Sequence, residues 1–241
     1  MRNNYTEARG KRETAERKEK ALRFALTRIF PSAEAEGNGA FRRPVLVTAF
    51  EPFGGEQLNP TEQILAALDD AMEGYALRKL VLPVEFDEAR RRLFAEYDSI
   101  SPAAVVMLGQ AGGRSAITPE TTGKNRMDAR LPDNAGKQPR NRMVAENGPD
   151  VLFSTFPAEK IVKAVREAGV PCELSGDAGT YVCNTVLYGM LAHNRGEVPT
   201  GFIHVPFSAE QGHGDKPCLE LNDMVRGIAA AVRTVIRELD S

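Results

Sequence analysis

From Pro44 onward, short apolar runs alternate with stretches of helical periodicity, and this alternation limits the possible folds more than any other feature of the chain. Val45-Leu46-Val47, Leu80-Val81-Leu82, Val105-Val106-Met107-Leu108 and Phe202-Ile203-His204-Val205 read as strands buried on both faces, since a strand with one wet face would alternate apolar with polar. Helical patterns fall near 87–97, 158–168, 182–193 and 222–239. One more starts at Asn59, a favoured N-cap residue, with Pro60 at the first helical position and Glu62 completing a capping pattern. Ile64, Leu65, Leu68 and Met72 form its apolar stripe, and Gly74 is its expected end. Strands alternating with helices predict a largely parallel sheet covered on both faces, and such sheets bind ligands beyond the carboxyl ends of their strands. The loops after Phe50, Leu108 and Val205 are therefore the places to look for a site.

A length of 241 residues with 42% hydrophobic side chains suffices for one large α/β domain or two small ones. Lys plus Arg total 31 against 33 Asp plus Glu, so no charge excess argues for nucleic acid or an anionic membrane as the main partner. The charge is uneven, however. Residues 1–43 carry 11 basic and 6 acidic side chains, which marks a boundary between an N-terminal extension and a body at 44–241. Leu22, Leu26, Ile29 and Phe30 share one helical face in that extension, and Pro31-Ser32 then opens a linker. Cysteines at 172, 183 and 218 make neither an even disulfide framework nor a C-x-x-C metal spacing, which favours a reducing compartment. No apolar run approaches the roughly 18 residues of a membrane span, and the N-terminus has no apolar signal core, so the expectation is a cytoplasmic protein.

Residues 109–150 form the longest irregular stretch, dense in Gly, Pro, Asn, Asp and Arg, and loops of that length usually serve function. They contain neither G-x-G-x-x-G nor G-x-x-x-x-G-K-[ST], so a nucleotide reading is weak. Cys183 lies in GTYVCNTVLYG, and His204 follows 21 positions later in GFIHVPF. A free cysteine is more often a small buried apolar residue than a nucleophile. Here Gly179 and Thr180 can open a helix whose first turn holds Cys183, so that backbone N–H groups would favour the thiolate and could donate to an oxyanion. His204, at the carboxyl end of a strand, would reach the same rim, whereas His193 and His213 read as surface residues.

Five blocks in order, VLVTAFEPFGG-x₃-NP (45–60), GQAGGR-x₃-TPE (109–120), DARLPDN (128–134), GTYVCNTVLYG (179–189) and GFIHVPF (201–207), resemble the pyroglutamyl-peptidase I, or pyrrolidone-carboxylate peptidase, family. The resemblance runs from about Pro44 to the C-terminus and leaves the extension outside it. It implies a single three-layer α/β/α domain with a twisted, mostly parallel central sheet, and a cytosolic cysteine peptidase that removes N-terminal pyroglutamyl residues from peptides. It further implies no metal, no organic cofactor and a homotetramer. By the same resemblance Cys183 is the nucleophile, His204 the general base, Glu120 the carboxylate that orients the imidazole, and Arg130 a partner of the oxyanion. Phe50 and Phe53 would sandwich the lactam ring, with Asn59, Gln110, Tyr181 and Val182 bordering its pocket.

The chain departs from the family pattern at Ala49, Tyr181, Lys124 and Arg126. The Ala49 methyl is expected beside the pocket, and the two basic residues are expected to alter loop packing or subunit contacts. Two other classes of function compete. One is a catalytically silent binder of cyclic amides. The other is a phosphorylase-type transferase on a related fold, with Gly54, Gly55 and Arg114 holding phosphate.

Overall fold

The computed structural model describes residues 42–241; the helix and linker expected before them lie outside the described residues. Strand β1 (Val45–Phe50) is completely buried, and its neighbours alternate between two cores. Val45, Val47 and Ala49 face one side, and Leu46 and Phe50 the other. Around it lie β2 (Ala71–Met72), β3 (Tyr75–Leu82), β4 (Ala104–Gln110), β5 (Thr118–Glu120) and β8 (Thr200–Val205). They form a six-stranded sheet in the order β2-β3-β1-β4-β8-β5. The pairs among β3, β1, β4 and β8 are parallel, while β2 and β5 close the two edges in antiparallel fashion. Two short strands, β6 (Thr122–Lys124) and β7 (Val151–Phe153), pair separately, as do β9 (Phe207–Ser208) and β10 (Cys218–Leu219).

Helices α1 (Pro60–Ala67), α3 (Ala158–Glu167) and α5 (Leu221–Leu239) cover the face of Val45 and Val47. Helices α2 (Phe86–Ile100) and α4 (Val182–Asn194) cover the face of Leu46 and Phe50. The result is the three-layer α/β/α arrangement expected for alternating strands and helices. In α2, Phe86, Ala89, Leu93 and Tyr97 are the buried stripe, at spacings that keep one helical face inward.

Two local expectations change. The helix opened by Asn59 does form, with the Asn59 side chain accepting from Thr61 N, but it ends at Ala67. Met72 belongs to β2, and Glu73-Gly74, both at positive φ, make the tight two-residue turn into β3. Gly74 thus closes a hairpin instead of a helix. The long loop after β4 is also more ordered than its composition suggests, because it contains β5 and β6. Arg42, assigned above to the basic extension, pairs with Asp240 at the end of α5 and lies over the Tyr75 ring.

Fully buried Asn184, in the first turn of α4, fastens the long loop to the helix. Its Oδ1 accepts from Lys124 N at 2.8 Å, and its Nδ2 donates to the carbonyls of Lys124 and Arg126 at 2.9 Å each. Replacing it with alanine takes the partner from two partly buried backbone groups, Lys124 N–H and the Arg126 carbonyl, while the Lys124 carbonyl still accepts from Arg126 N; a group stranded in this way costs about 1–3 kcal/mol. We expect Asn184→Ala to lose about 3 kcal/mol of stability, a fall of roughly 10 °C in melting temperature. A calorimetric scan overlaying that of the parent would disprove the clamp.

Candidate active site

Strand parity decides which side chains meet at the carboxyl edge of the sheet. In β8, Phe202 packs with the α2/α4 core, so His204, two residues on, projects to the same face. Antiparallel β5 pairs Thr118 with His204 and Glu120 with Phe202, which puts Thr118 and Glu120 on that face as well. In β4, Met107 shares the face and Gly109 follows two residues later, in register with His204. A side chain at Gly109 would lie 2.5 Å from the Phe202 ring and 3.0 Å from Cys183 Sγ, so the thiol has room because residue 109 has none. Cys183 enters from above, in the first turn of α4.

These elements surround a cleft of about 700 Å³ whose walls include Cys183, His204, Arg130, Gln110, Phe53 and Tyr181. His204 Nδ1 lies 2.7 Å from Glu120 Oε1, with the imidazole nearly buried and the carboxylate completely so. Nδ1–H donates to the carboxylate, which leaves Nε2 as the acceptor. Burial pushes His204 down from its ordinary value, and the hydrogen bond and charge of Glu120 offset this only in part. Burial pushes the Glu120 carboxyl up, but His204, Ser175 and Arg114 together hold it below the usual range. Burial also pushes the Cys183 thiol up to about 12, reinforced by the Glu120 charge and opposed by its own backbone N–H and Arg114. The helix start therefore favours the thiolate as expected but does not win. Both directions favour the uncharged forms, a thiol and a neutral imidazole, on the wall of one cleft.

The pocket residues divide into walls and supports. Phe53 and Tyr181 are both on the wall, ring centroids 6.1 Å apart, and Tyr181 is steadied by an edge contact with Phe86 and a hydrogen bond to Pro132 O. Phe50 is only 2% exposed and lies against Phe202 in the core, whereas Phe53 is on the cleft wall. Val182 is likewise buried in the core. Asn59 is an internal support, donating to Glu51 O while capping α1. Gln110 reaches the cleft, and its Oε1 accepts from Gln211 Nε2 at 2.9 Å. Arg130 is exposed on the DARLPDN loop, which Asp133 anchors by accepting from Phe86 N at the start of α2 and from Lys137 N.

Several expectations about neighbours are corrected. Thr180 does not cap α4; its hydroxyl donates to Asp128 O, tying the helix start to the arginine loop. Ala49 packs in the core on the far face of the sheet, so its methyl does not border the pocket. Lys124 pairs with Asp177 and Arg126 with Asp128, two carboxylates on the cleft wall, so both basic residues take part in the packing of the loop, as expected. His193 stacks on Phe94 and pairs with Asp98, and the His213 ring lies tilted against Phe207, so neither is simply solvated.

One residue was assigned no part in hydrolysis from sequence. Arg114 Nη1 lies 2.6 Å from Glu120 Oε1 and also contacts Thr118 Oγ1, while Nη2 donates to Asp177 O at 3.0 Å. The guanidinium expected to hold phosphate in the transferase reading is thus engaged by the carboxylate behind His204. Its only sequence signal was an arginine six residues before a glutamate within a Gly-rich turn.

A doubly covered, mostly parallel sheet with a thiol, an imidazole and a buried carboxylate at its carboxyl edge defines an α/β protein of the cysteine-hydrolase type. Known proteins agree. The sequence model described as pyroglutamyl peptidase matches residues 43–238. Pyrrolidone-carboxylate peptidase of Chromobacterium violaceum is 43% identical over 193 residues, covering 79% of this chain and 91% of the relative. Pyrrolidone-carboxylate peptidase 1 of Caldanaerobacter subterraneus is 38% identical over 200 residues, with 81% and 98% covered. The structure of pyrrolidone carboxyl peptidase from Thermococcus litoralis superposes with a TM-score of 0.78 at 35% identity, covering 82% of this chain and 95% of that one. The chain belongs to the pyroglutamyl peptidase family.

Proposed function

We propose that the chain is a cysteine exopeptidase that hydrolyses the N-terminal pyroglutamyl residue from peptides, with Cys183 as nucleophile, His204 as base and Glu120 as its orienting carboxylate. The observation that carries this reading is the 2.7 Å contact between His204 Nδ1 and Glu120 Oε1 at the floor of the cleft that Cys183 lines. As Cys183 Sγ attacks the pyroglutamyl carbonyl carbon, the thiol proton passes to His204 Nε2, and Glu120 stabilises the resulting imidazolium. His204 then returns that proton to the departing amine as the C–N bond breaks, leaving a thioester. Water, deprotonated by the same imidazole, hydrolyses the thioester to pyroglutamate and restores the thiol. Arg130 and the Cys183 backbone N–H face the oxyanion that forms in each half-reaction.

The lactam is flat and neutral, which suits the Phe53 and Tyr181 rings backed by Phe50. Proline lacks the ring carbonyl. A pocket that donates to that carbonyl discriminates strongly against a ligand without it, because the donor is then left buried and unpaired. The test is chromophore release from a pyroglutamyl anilide beside a prolyl anilide control. Turnover of the first and not the second is the expected result; failure on the first removes the proposal.

The reading extends to a cytoplasmic setting and to self-association. Cys172, Cys183 and Cys218 are free thiols, which suits a reducing compartment, and recovery of the protein in a secreted fraction would overturn this. Among the described residues no helix is long and apolar enough to cross a membrane. Phe153 on β7 is 71% exposed beside exposed Val151, an apolar edge that a second copy would cover. Sedimentation at the mass of one chain would count against a tetramer.

A further inference from the structure

We propose that Arg114 is a positioning residue that sets the protonation of the Cys183–His204 pair by sharing the Glu120 carboxylate, an inference that rests on the peptidase reading of this site. Glu120 Oε1 receives both His204 Nδ1 at 2.7 Å and Arg114 Nη1 at 2.6 Å, whereas Oε2 is buried and has no hydrogen-bond partner among the described residues. One oxygen of a completely buried carboxylate thus serves both an imidazole and a guanidinium, and at a buried carboxylate charge effects are larger than in water. A carboxylate serving the imidazole alone would hold a proton on His204 more firmly, so that at a given pH less of the imidazole would be free to accept the thiol proton. The guanidinium divides that negative potential. It also fixes the carboxylate in place, since Nη2 is tied to Asp177 O on the segment leading into α4.

The remaining charges around the pair do not supply this effect. Glu120 raises the proton affinity of both His204 and Cys183, and Arg114 lowers it at both. Of the other charged groups on the cleft wall, Asp128 and Asp177 are paired with Arg126 and Lys124. Glu173 and Arg130 are exposed to solvent, which screens them, and the Tyr181 hydroxyl stays protonated, pushed up to about 12 by burial. Arg114 is thus the cation in direct contact with the carboxylate behind the imidazole.

The test reads proton affinity as well as turnover. Cys183 alkylation by iodoacetamide is followed across pH in a Cys218→Ser background, because Cys218 is exposed and would otherwise react. The pH profile of kcat/KM on a pyroglutamyl anilide is measured alongside. In Arg114→Met we expect the alkylation midpoint and the acid limb of kcat/KM both to move to higher pH. We also expect kcat/KM at neutral pH to fall by about tenfold or more, mostly through kcat. Arg114→Lys keeps the charge without the fork and should hold both midpoints near the parent while losing part of kcat. Profiles that coincide with the parent in folded Arg114→Met overturn the proposal, since a residue that merely braces the loop would lower rate or melting temperature without moving them. If Arg114→Met does not fold, Arg114→Gln, which keeps a donor to Glu120 without the charge, is measured in its place against the same criterion. A parent chain that cannot cleave the anilide removes the peptidase reading, and the alkylation profiles then still decide whether Arg114 controls the thiol.

Discussion

Cys183→Ala is expected to reduce hydrolysis of a pyroglutamyl anilide by at least about 10⁴-fold, to a rate indistinguishable from buffer, because the covalent path is gone and a bound lactam has no other nucleophile at its carbonyl. Folding should hardly notice. The thiol lies at the edge of the α2/α4 core, and its loss leaves space at the cleft instead of a closed cavity. Cys183→Ser should be nearly as inactive. Burial pushes the thiol up to about 12, so on the proposed mechanism turnover depends on His204 drawing off its proton during attack. A hydroxyl gives up its proton still less readily and is the poorer nucleophile. The pair of variants separates this from other assignments: if Cys183→Ala kept more than a hundredth of the parent rate while its melting curve matched, another group would have to be the nucleophile. Steady-state rates with purified variants, normalised to folded protein, are sufficient.

The parts of this site that were legible in sequence are those written in local chemistry. Strands β1, β4 and β8 showed themselves as continuous apolar runs because helices bury both of their faces, and His204 could be assigned to a strand end for the same reason. Strand β5 was hidden by its own composition. Thr118-Pro119-Glu120 places a proline in a strand, which a central position would forbid; β5 tolerates it because it is the edge of the sheet. With β5 unseen, the link between Glu120 and His204 came only from family resemblance, and Arg114 had no visible partner. The overlong first helix has a related cause: Met72 falls at helical spacing from Leu68 by coincidence, while the turn residues Glu73-Gly74 carry a hairpin signal that helical periodicity masked. Phe50 and Phe53 look equivalent in sequence, yet Phe50 is the last residue of a buried strand and Phe53 lies in the loop beyond it, and that difference separates core from wall.

Glu120→Gln keeps the shape of the carboxylate and removes its charge, and it should lower kcat/KM by about 10³-fold, since the imidazolium formed during attack loses the counter-charge that stabilises it. Because Glu120 raises the proton affinity of His204, the variant's imidazole should stay neutral to lower pH. The acid limb of the residual activity therefore shifts down, opposite to the shift expected for Arg114→Met. Stability responds as well. Both groups are held below their ordinary values, Glu120 by its donors and His204 by burial. In each case the unfolded chain takes up a proton before the folded one does, so stability is full above the unfolded value and falls with pH, first below the ordinary histidine value and then below the ordinary carboxylate value. Removing the carboxylate removes the second part of that loss, and melting temperature should decline less steeply between pH 5 and pH 3, a window set here by the roughly 4.3 of a free glutamate. At pH 7 the variant should be less stable than the parent by about 1–3 kcal/mol, because its amide nitrogen would occupy the buried position where Oε2 has no partner. An activity within tenfold of the parent, or an acid limb that does not move, would remove Glu120 from its assigned role.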